Sequence, residues 1–306
     1  MAGPGVYAVI DVGTNSVKFH VGERHEDGSW STIVDRAEVT RLGEGIAETG
    51  DIAPAAIERT AEAIAGMAEE ARGHDAAGLV AVGTMGMRSA VNSDVFVAAV
   101  RERCGVTIEV IPGPEEGRLA YLAVKAGLGA AAGSLVVFDT GGGSTQFTFG
   151  RGDTVDEQFS LDIGAVRLTA QYGLAGVLSR EALDQALAAI SGEFDRLDDA
   201  PSPDALVGMG GAITNMTAVM LGLAQYDPDA VQGAVLGRAE VERQIELLRT
   251  RDVAARRKIV GLQPKRADVI LAGACVVHTV MDRLGRDALT VSDRGLRHGV
   301  LLERFG

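Results

Sequence analysis

Short apolar runs and segments with a helical spacing of apolar residues alternate along this chain. VYAVIDV (6–12) is rich in β-branched residues and predicts a buried strand. VKFHVGE and WSTIVDRAEV flank the pair Asp27-Gly28, the strongest short signal for a hairpin. The chain is therefore expected to open with three antiparallel strands.

Helices and strands alternate after this opening. Asp51 to His74 carries Pro54 near its start and apolar residues every three to four positions, which predicts a helix. The next predicted elements are the strand LVAVGT, the helix SDVFVAAVRERC, the strand VTIEVI and the helix PEEGRLAYLAVKAG.

The same order of elements then starts again. SLVVFD (134–139) predicts a strand that ends in Asp and a glycine turn, and STQFTFG and TVDEQFSL predict the next two strands around Gly152-Asp153. The remaining predicted elements are helices near 164–173 and 179–197, the strand ALVGMG, a helix from Ala212, further helices, the strand ALTVSD and a final helix from Gly295. Two copies of one unit indicate a repeat at domain scale, with DVGTNS and DTGGGST at equivalent positions of two facing halves.

Length and charge narrow the class of protein. A chain of 306 residues is long enough for two domains. The net charge of -13 argues against a nucleic-acid polymer or a membrane surface as partner, because such binding needs a basic surface. The basic stretch 249–266 is interpreted as a solvated helix face. Cys104 and Cys275 lack a metal-binding spacing, and the chain has neither a basic leader nor an apolar run of membrane-spanning length, so a cytoplasmic location is expected.

The two repeated turns suggest a chemistry. A turn of Gly, Thr and Ser between strands directs backbone N–H groups and hydroxyls toward one point, which suits phosphate oxygens. Asp11 and Asp139 lie at the start of these turns and are better suited to Mg²⁺ or its waters than to phosphate itself. A single DxG turn is more often an ordinary glycine hairpin, whereas a matched pair in a repeat favours phosphate binding. The predicted phosphate-binding residues are Gly13, Thr14, Asn15, Ser16, Gly141, Gly142, Gly143, Ser144 and Thr145.

Three further segments carry candidate residues, each with an ordinary alternative. Gly210 and Gly211 follow a strand and precede a helix, so they either present helix amides to a phosphate or allow close strand-helix packing. Glu115 and Glu116 lie at a helix start, where one acid is explained by the helix dipole and the other could orient or deprotonate a water. Arg88 could bind a phosphate through two N–H groups or could be a surface residue.

Taken in order, the motifs resemble the exopolyphosphatase and guanosine pentaphosphate phosphohydrolase (Ppx/GppA) family of the actin-like ATPase (ribonuclease H-like) fold. The resemblance runs nearly end to end through IDVGTNSVKF, TMGMRSAVN, IPGPEEGRLAY, VVFDTGGGSTQ, GMGGAITNM, PKRADVILAGA and GLRHGVLLERF. It implies two duplicated α/β domains facing across a cleft, 1–126 and 127–306, with the last helix from about 295 packing back on the first domain. It also implies the short two-domain form of the family and a homodimer.

The resemblance implies roles as well. Family members release orthophosphate from polyphosphate or guanosine pentaphosphate by attack of water, with Mg²⁺ or Mn²⁺. Matched by motif, Glu116 would be the general base, Arg88 would neutralise developing charge, and Asp139 with Asp11 would hold the metal. The glycines and hydroxyl residues of the two turns would bind phosphate.

Three positions depart from the family pattern. Gln146 stands where the second phosphate motif usually has Glu, Thr84-Met85-Gly86 lacks a hydroxyl of the usual loop, and His298 replaces the Glu of GLREG. His298, like His20, is interpreted as a residue without a catalytic duty. Two other functions are compatible with these motifs. Gln146 is compatible with a protein that binds (p)ppGpp or polyphosphate with little turnover. The phosphate turns are compatible with an actin-like small-molecule kinase.

Overall fold

The structure, a computed structural model, describes residues 2–129 and 133–306. Its strands are β1 (Gly5–Val12), β2 (Ser16–Arg24), β3 (Trp30–Val39), β4 (Gly78–Gly83), β5 (Ile108–Val110), β6 (Ser134–Thr140), β7 (Thr145–Arg151), β8 (Thr154–Leu161), β9 (Ala205–Met209), β10 (Val235–Gly237) and β11 (Ala288–Ser292).

Helices follow or separate most of these strands. They are α1 (Ile46–Thr49), α2 (Pro54–Gly73), α3 (Met85–Ser89), α4 (Ser93–Cys104), α5 (Gly113–Leu128), α6 (Ala165–Tyr172), α7 (Arg180–Gly192), α8 (Gly211–Leu221), α9 (Pro228–Val231), α10 (Arg238–Arg249), α11 (Val253–Arg256), α12 (Ile270–Arg283) and α13 (Leu296–Phe305). Short 3₁₀ segments lie at Asp195–Leu197 and Pro264–Arg266.

The chain divides into two compact units. The first contains Met1–Ala123 and Gly295–Gly306, and the second contains Val124–Arg294. The five-stranded sheet of the first unit has the order β3-β2-β1-β4-β5, and the six-stranded sheet of the second has the order β10-β11-β9-β6-β7-β8. Each unit starts with three antiparallel strands and adds parallel strands beside the first of them. The predicted α/β class and repeat are therefore confirmed in strand order.

The sheet of the first unit is buried on both faces. Ala8 and Ile10 of β1 pack into a core with apolar residues of α2 and α4. Tyr7 and Val9, which alternate with them, pack on the opposite face with Leu119, Leu296, Val300 and Leu301 of α5 and α13. This explains why β1 is a continuous apolar run rather than an alternating one.

The second unit has its own core around α12. Most of α12 is buried, and it packs with apolar residues of β6, α7, α8 and α10. The predicted helix 179–197 ends at Gly192 and is followed by the separate 3₁₀ segment, and the three-residue strand β10 was not predicted. None of the helices that the structure describes is both long and apolar enough to span a membrane.

The prediction that 249–266 forms a solvated helix face is wrong for two of its arginines. Arg256 is fully buried, and Arg266 is 9% exposed. The guanidinium of Arg256 donates to the carbonyls of Leu248, Leu174 and Gly176 at 2.9–3.0 Å. These hydrogen bonds satisfy the buried donors, so Arg256 ties three segments of the second unit together.

Candidate active site

The two glycine turns have the same local geometry. In the first unit the amide of Gly13 donates to the carbonyl of Ser16 at 3.1 Å. In the second unit the amide of Gly141 donates to the carbonyl of Ser144 at 2.9 Å. Each bond lies in the turn between two antiparallel strands, as expected from the sequence repeat.

The carbonyls of the first turn are directed into the protein. The carbonyl of Thr14 accepts from the amide of Gly43 at 2.8 Å. The carbonyl of Asn15 accepts from the amides of Thr40 and Arg41 at 3.1 and 2.9 Å. Because C=O and N–H lie on opposite sides of a trans peptide, the following amides, those of Asn15 and Ser16, are directed the other way.

The second turn is held in the same manner by a helix start. The carbonyl of Gly141 accepts from the amide of Ala165 at 3.0 Å, and that of Gly142 accepts from Val166 at 2.8 Å. The amides of Gly142 and Gly143 are therefore directed away from α6. Both turns thus present two neighbouring N–H groups on the side opposite their anchoring contacts, which is an anion-binding arrangement.

The predicted metal carboxylates have different partners across their strands. Asp11 pairs in register with Lys18, and Lys18 Nζ lies 3.0 Å from Asp11 Oδ2. Asp139 pairs in register with Gln146 at the equivalent place in the second unit. Residues directly opposite in an antiparallel pair project from the same face, so each Asp faces a hydrogen-bond donor.

Gln146 is buried behind the second turn. Its Nε2 donates to Ser144 Oγ at 2.6 Å and to Ser160 Oγ at 3.2 Å. Thr145, another predicted phosphate residue, is fully buried, and its hydroxyl donates to the carbonyl of Ile163 at 2.7 Å. Ser144 Oγ thus accepts a hydrogen bond from Gln146, whereas the Thr145 hydroxyl donates one and holds the turn in place.

Arg88 and Glu116 are brought together in the first unit. Arg88 Nη1 donates to Glu116 Oε2 at 3.0 Å and to the carbonyl of Ile111 at 2.8 Å. Thr84, which precedes α3, is joined by its amide to the carbonyl of Val12 at 3.1 Å, so the arginine loop is fixed to the end of β1. The carboxyl group of Glu116 is largely buried, which suits a proton acceptor in a site shielded from bulk water.

Glu115 lies in a different environment. Arg118 donates to both of its carboxylate oxygens, at 2.8 and 2.7 Å, and also contacts Glu303. These bonds hold the pKa of Glu115 below its usual value. Glu115 is therefore part of an ion pair that joins α5 to α13, and Glu116 is the stronger candidate for chemistry.

Gly210 lies close to the carboxylate of Asp139, and Gly211 lies close to the guanidinium of Arg266. A β-carbon built on Gly210 would lie 2.6 Å from Oδ1 of Asp139, and one on Gly211 would overlap the guanidinium of Arg266. Burial lowers the pKa of Arg266, and its Nε donates to the side chain of Gln263 at 3.0 Å. The start of α8 thus lies beside a carboxylate and a buried guanidinium.

Arg266 is a functional candidate that the sequence reasoning missed. The amide of Gln263 donates to Asn215 of α8 at 2.8 Å, and this bond positions the segment that carries Arg266. The signal available in the sequence was its motif, PKRADVILAGA, which supported the family resemblance but was not assigned a ligand. A buried guanidinium at a helix start favours an anionic ligand.

His298 belongs to a separate cluster of the first unit. His298 Nε2 lies 3.1 Å from Asp35 Oδ2, and His20 Nδ1 lies 3.5 Å from the same oxygen. Arg297 donates to both oxygens of Asp35, at 2.6 and 2.9 Å. Among the described residues, His20, Asp35 and His298 are a group whose ligand atoms lie within 4.8 Å of one another.

This cluster is arranged around a carboxylate rather than a cation. The amide of Gly295 donates to His298 Nδ1 at 3.3 Å, so the neutral imidazole carries its proton on Nε2 and directs it at Asp35. The Arg297 guanidinium supplies the compensating positive charge. Burial would raise the pKa of Asp35, but Arg297, His20 and His298 together hold it well below its usual range.

We expect acid to destabilise the first unit through this cluster. Burial and the neighbouring Arg297 lower the pKa of His298 from 6.5 to about 3, against the opposing effect of Asp35. In the unfolded chain, His298 therefore binds a proton near pH 6.5 that it does not bind in the folded chain. The stability of the fold decreases as the pH drops below that value. Between pH 7 and 5 the free energy of unfolding should fall by about 2 kcal/mol through His298.

The measurement is urea unfolding at pH 7 and pH 5 for the natural protein and for His298→Gln. The amide can still donate to Asp35 but does not titrate, so the variant should lose less stability on acidification. Equal losses in the two proteins would contradict this assignment. The contribution of Asp35 has the same sign and is lost at lower pH, because its folded pKa lies below its unfolded value.

Comparison with known proteins places these features in a family. The sequence profile of the Ppx/GppA phosphatase family matches residues 21–306. The chain is 33% identical to exopolyphosphatase 2 of Mycobacterium tuberculosis, over 98% of each protein. It is 29% identical to guanosine-5'-triphosphate,3'-diphosphate pyrophosphatase of Photobacterium profundum, over 97% of this chain and 59% of that protein.

Solved structures agree with the sequence matches. The Ppx/GppA family member of Aquifex aeolicus superposes with a TM-score of 0.82 and 32% identity, over 98% of this chain and 97% of the other. An exopolyphosphatase-like protein superposes with a TM-score of 0.89 and 28% identity, over 98% of both chains. The actin-like fold expected from the motifs is thereby confirmed.

Proposed function

Since the chain belongs to the Ppx/GppA phosphatase family, we propose that it releases orthophosphate from the terminal phosphoanhydride of inorganic polyphosphate or guanosine pentaphosphate. Membership makes the protein a hydrolase of acid-anhydride bonds. Both proposed substrates are anionic chains that two phosphate-binding turns would recognise.

One observation carries the proposal, namely that each turn presents two adjacent backbone amides on the side opposite its anchoring contacts. Each turn has its carbonyls fixed to a neighbouring segment and two adjacent amides directed away from it. Such amides bind phosphate oxygens without a full positive charge, so they suit a substrate that must also be released. Arg88 and Arg266 add confined positive charge to a protein whose net charge is -13, which favours a small polyanion over a nucleic-acid polymer.

We assign the proton transfer to Glu116. Water attacks the terminal phosphorus, Glu116 takes a proton from that water, and the bridging oxygen leaves with the electron pair of the broken P–O bond. Arg88 lies 3.0 Å from Glu116 and would offset the negative charge that develops on the phosphoryl oxygens. Neither role requires a covalent enzyme intermediate.

Asp139 is our candidate ligand for Mg²⁺ or Mn²⁺. Carboxylate oxygens suit these ions, and Gly210 leaves room beside Oδ1 of Asp139 where a β-carbon would intrude. Asp11, whose Oδ2 lies 3.0 Å from Lys18 Nζ, is the second predicted carboxylate. A bound ion would supply positive charge to the phosphoryl oxygens of the substrate.

The test is a substrate panel read by release of orthophosphate. Polyphosphate of several lengths and guanosine pentaphosphate are incubated with Mg²⁺ or Mn²⁺, and Glu116→Gln serves as the negative control. We expect release from at least one substrate. A folded protein that releases phosphate from neither would remove the hydrolase proposal.

Gln146 supports a second candidate function, a protein that binds (p)ppGpp or polyphosphate with little turnover. It places a neutral amide opposite Asp139. Tight binding in calorimetry without release of phosphate would favour this function. The homodimer, which the family resemblance implies, and the cytoplasmic location, which the sequence suggests, stay predictions.

A further inference from the structure

A buried amide lies directly behind the hydroxyl of the second phosphate turn. Gln146 and Ser144 are 2% and 3% exposed, and Gln146 Nε2 lies 2.6 Å from Ser144 Oγ. We propose that Gln146 is a positioning residue that fixes the Ser144 hydroxyl as a hydrogen-bond donor to a phosphoryl oxygen. The inference deepens the proposed function and rests on it, because it concerns the same turn.

The direction of the Gln146–Ser144 bond follows from the chemistry of its two groups. An amide nitrogen can only donate, so Ser144 Oγ accepts in this bond. A hydroxyl has one proton and two acceptor positions, so the proton of Ser144 stays available for another acceptor. Ser144 closes the same turn as the outward-directed amides of Gly142 and Gly143, and a phosphoryl oxygen at this turn would therefore meet these three donors.

A glutamate at position 146 would reverse this bond. A carboxylate can only accept, so it would take the Ser144 proton and leave the oxygen lone pairs of Ser144 for the substrate. It would also place a second negative charge opposite Asp139, whose strand register it shares. Both effects would weaken the binding of a phosphate anion that carries no metal ion.

The first unit has a donor at the equivalent register position. Lys18 lies opposite Asp11 there, as Gln146 lies opposite Asp139 in the second unit. This chain thus places a donor, rather than a second acid, opposite the aspartate in each unit. With its donors directed at a phosphoryl oxygen, the turn of the second unit depends less on a metal for binding than it would with a glutamate at position 146.

The experiment measures binding of tripolyphosphate by calorimetry in EDTA. Gln146→Glu is expected to weaken binding at least tenfold, and Ser144→Ala about tenfold. The double variant Ser144→Ala/Gln146→Glu should lose less affinity than the product of the two single losses, because part of the Gln146→Glu effect acts through the Ser144 hydroxyl while the added charge remains. In steady-state assays with metal, Gln146→Glu should raise KM more than it lowers kcat.

Two further variants separate bond direction from charge and from folding. Gln146→Leu removes the donor without adding charge and should weaken binding three- to tenfold. Ser160→Ala removes only the longer contact of Gln146, at 3.2 Å, and should stay within threefold of the natural protein. Thermal unfolding of every variant identifies any that has lost its fold.

Several results would overturn the inference. Binding by Gln146→Glu within threefold of the natural protein would show that the hydroxyl does not depend on an amide donor, as would fully additive effects in the double variant. If natural protein hydrolyses polyphosphate while these variants bind normally, the inference fails and the proposed function stands. A natural protein that neither binds tripolyphosphate nor releases phosphate would remove both.

Discussion

Glu116→Gln is expected to lower kcat for phosphate release by about 10²–10⁴-fold, the usual contribution of a general base. Glutamine keeps the shape of the side chain and can retain a contact with Arg88, which lies 3.0 Å from Glu116. It cannot accept the proton of the attacking water. Substrate binding should therefore change far less than kcat, and a phosphate-release assay together with tripolyphosphate calorimetry separates the two.

Glu115→Gln is the matched control for this variant. It makes the same chemical change one position earlier, on a carboxylate engaged by Arg118. We expect kcat within about threefold of the natural protein, because this partly exposed ion pair has no role in the proposed proton transfer. If Glu115→Gln lost as much activity as Glu116→Gln, or if Glu116→Gln kept a tenth of the natural rate, the assignment of the base would be wrong.

Asp139→Asn is expected to have the second largest effect, a loss of about 10²-fold or more in metal-dependent phosphate release. The asparagine oxygen carries no negative charge, so the ion would bind more weakly at the proposed site. Higher metal concentration should recover part of the rate. The measurement is a titration of phosphate release with Mg²⁺ and Mn²⁺ for natural protein and variant.

Asp11→Asn provides an instructive comparison because Asp11 is paired with Lys18 at 3.0 Å. Its removal leaves a partly buried ammonium without this carboxylate, so we expect the free energy of unfolding to fall by about 1–3 kcal/mol. The metal titration should shift less than it does for Asp139→Asn. An equal or larger shift for Asp11→Asn would make Asp11 the principal metal ligand instead.

The two glycine turns could be predicted because their signal is local. In both units an apolar strand ends in Asp and a glycine turn, and the next strand follows immediately, so Gly13 and Gly141 are fixed by their own neighbours in sequence. The position of Glu116 was equally accessible, since Pro114 marks the start of its helix. Short-range patterns of this kind define turns and helix starts.

Contacts between distant segments were not accessible in the same way. Arg266 lies against Gly211, and Arg297 binds Asp35 although 262 positions separate them. For Arg256 the composition led to the wrong prediction of a solvated side chain, because a basic stretch is usually solvated. Only the fold brings together the backbone carbonyls that satisfy its guanidinium in the interior.

The packing of α13 has a consequence for how the protein is made. Leu296, Val300 and Leu301 complete the face of the first unit that Tyr7 and Val9 begin. During synthesis the ribosome makes that face before Val124–Arg294 and its cover after it, whereas Val124–Arg294 is an uninterrupted segment. The second unit can therefore assemble on the nascent chain, while the first keeps apolar surface exposed until α13 has been made.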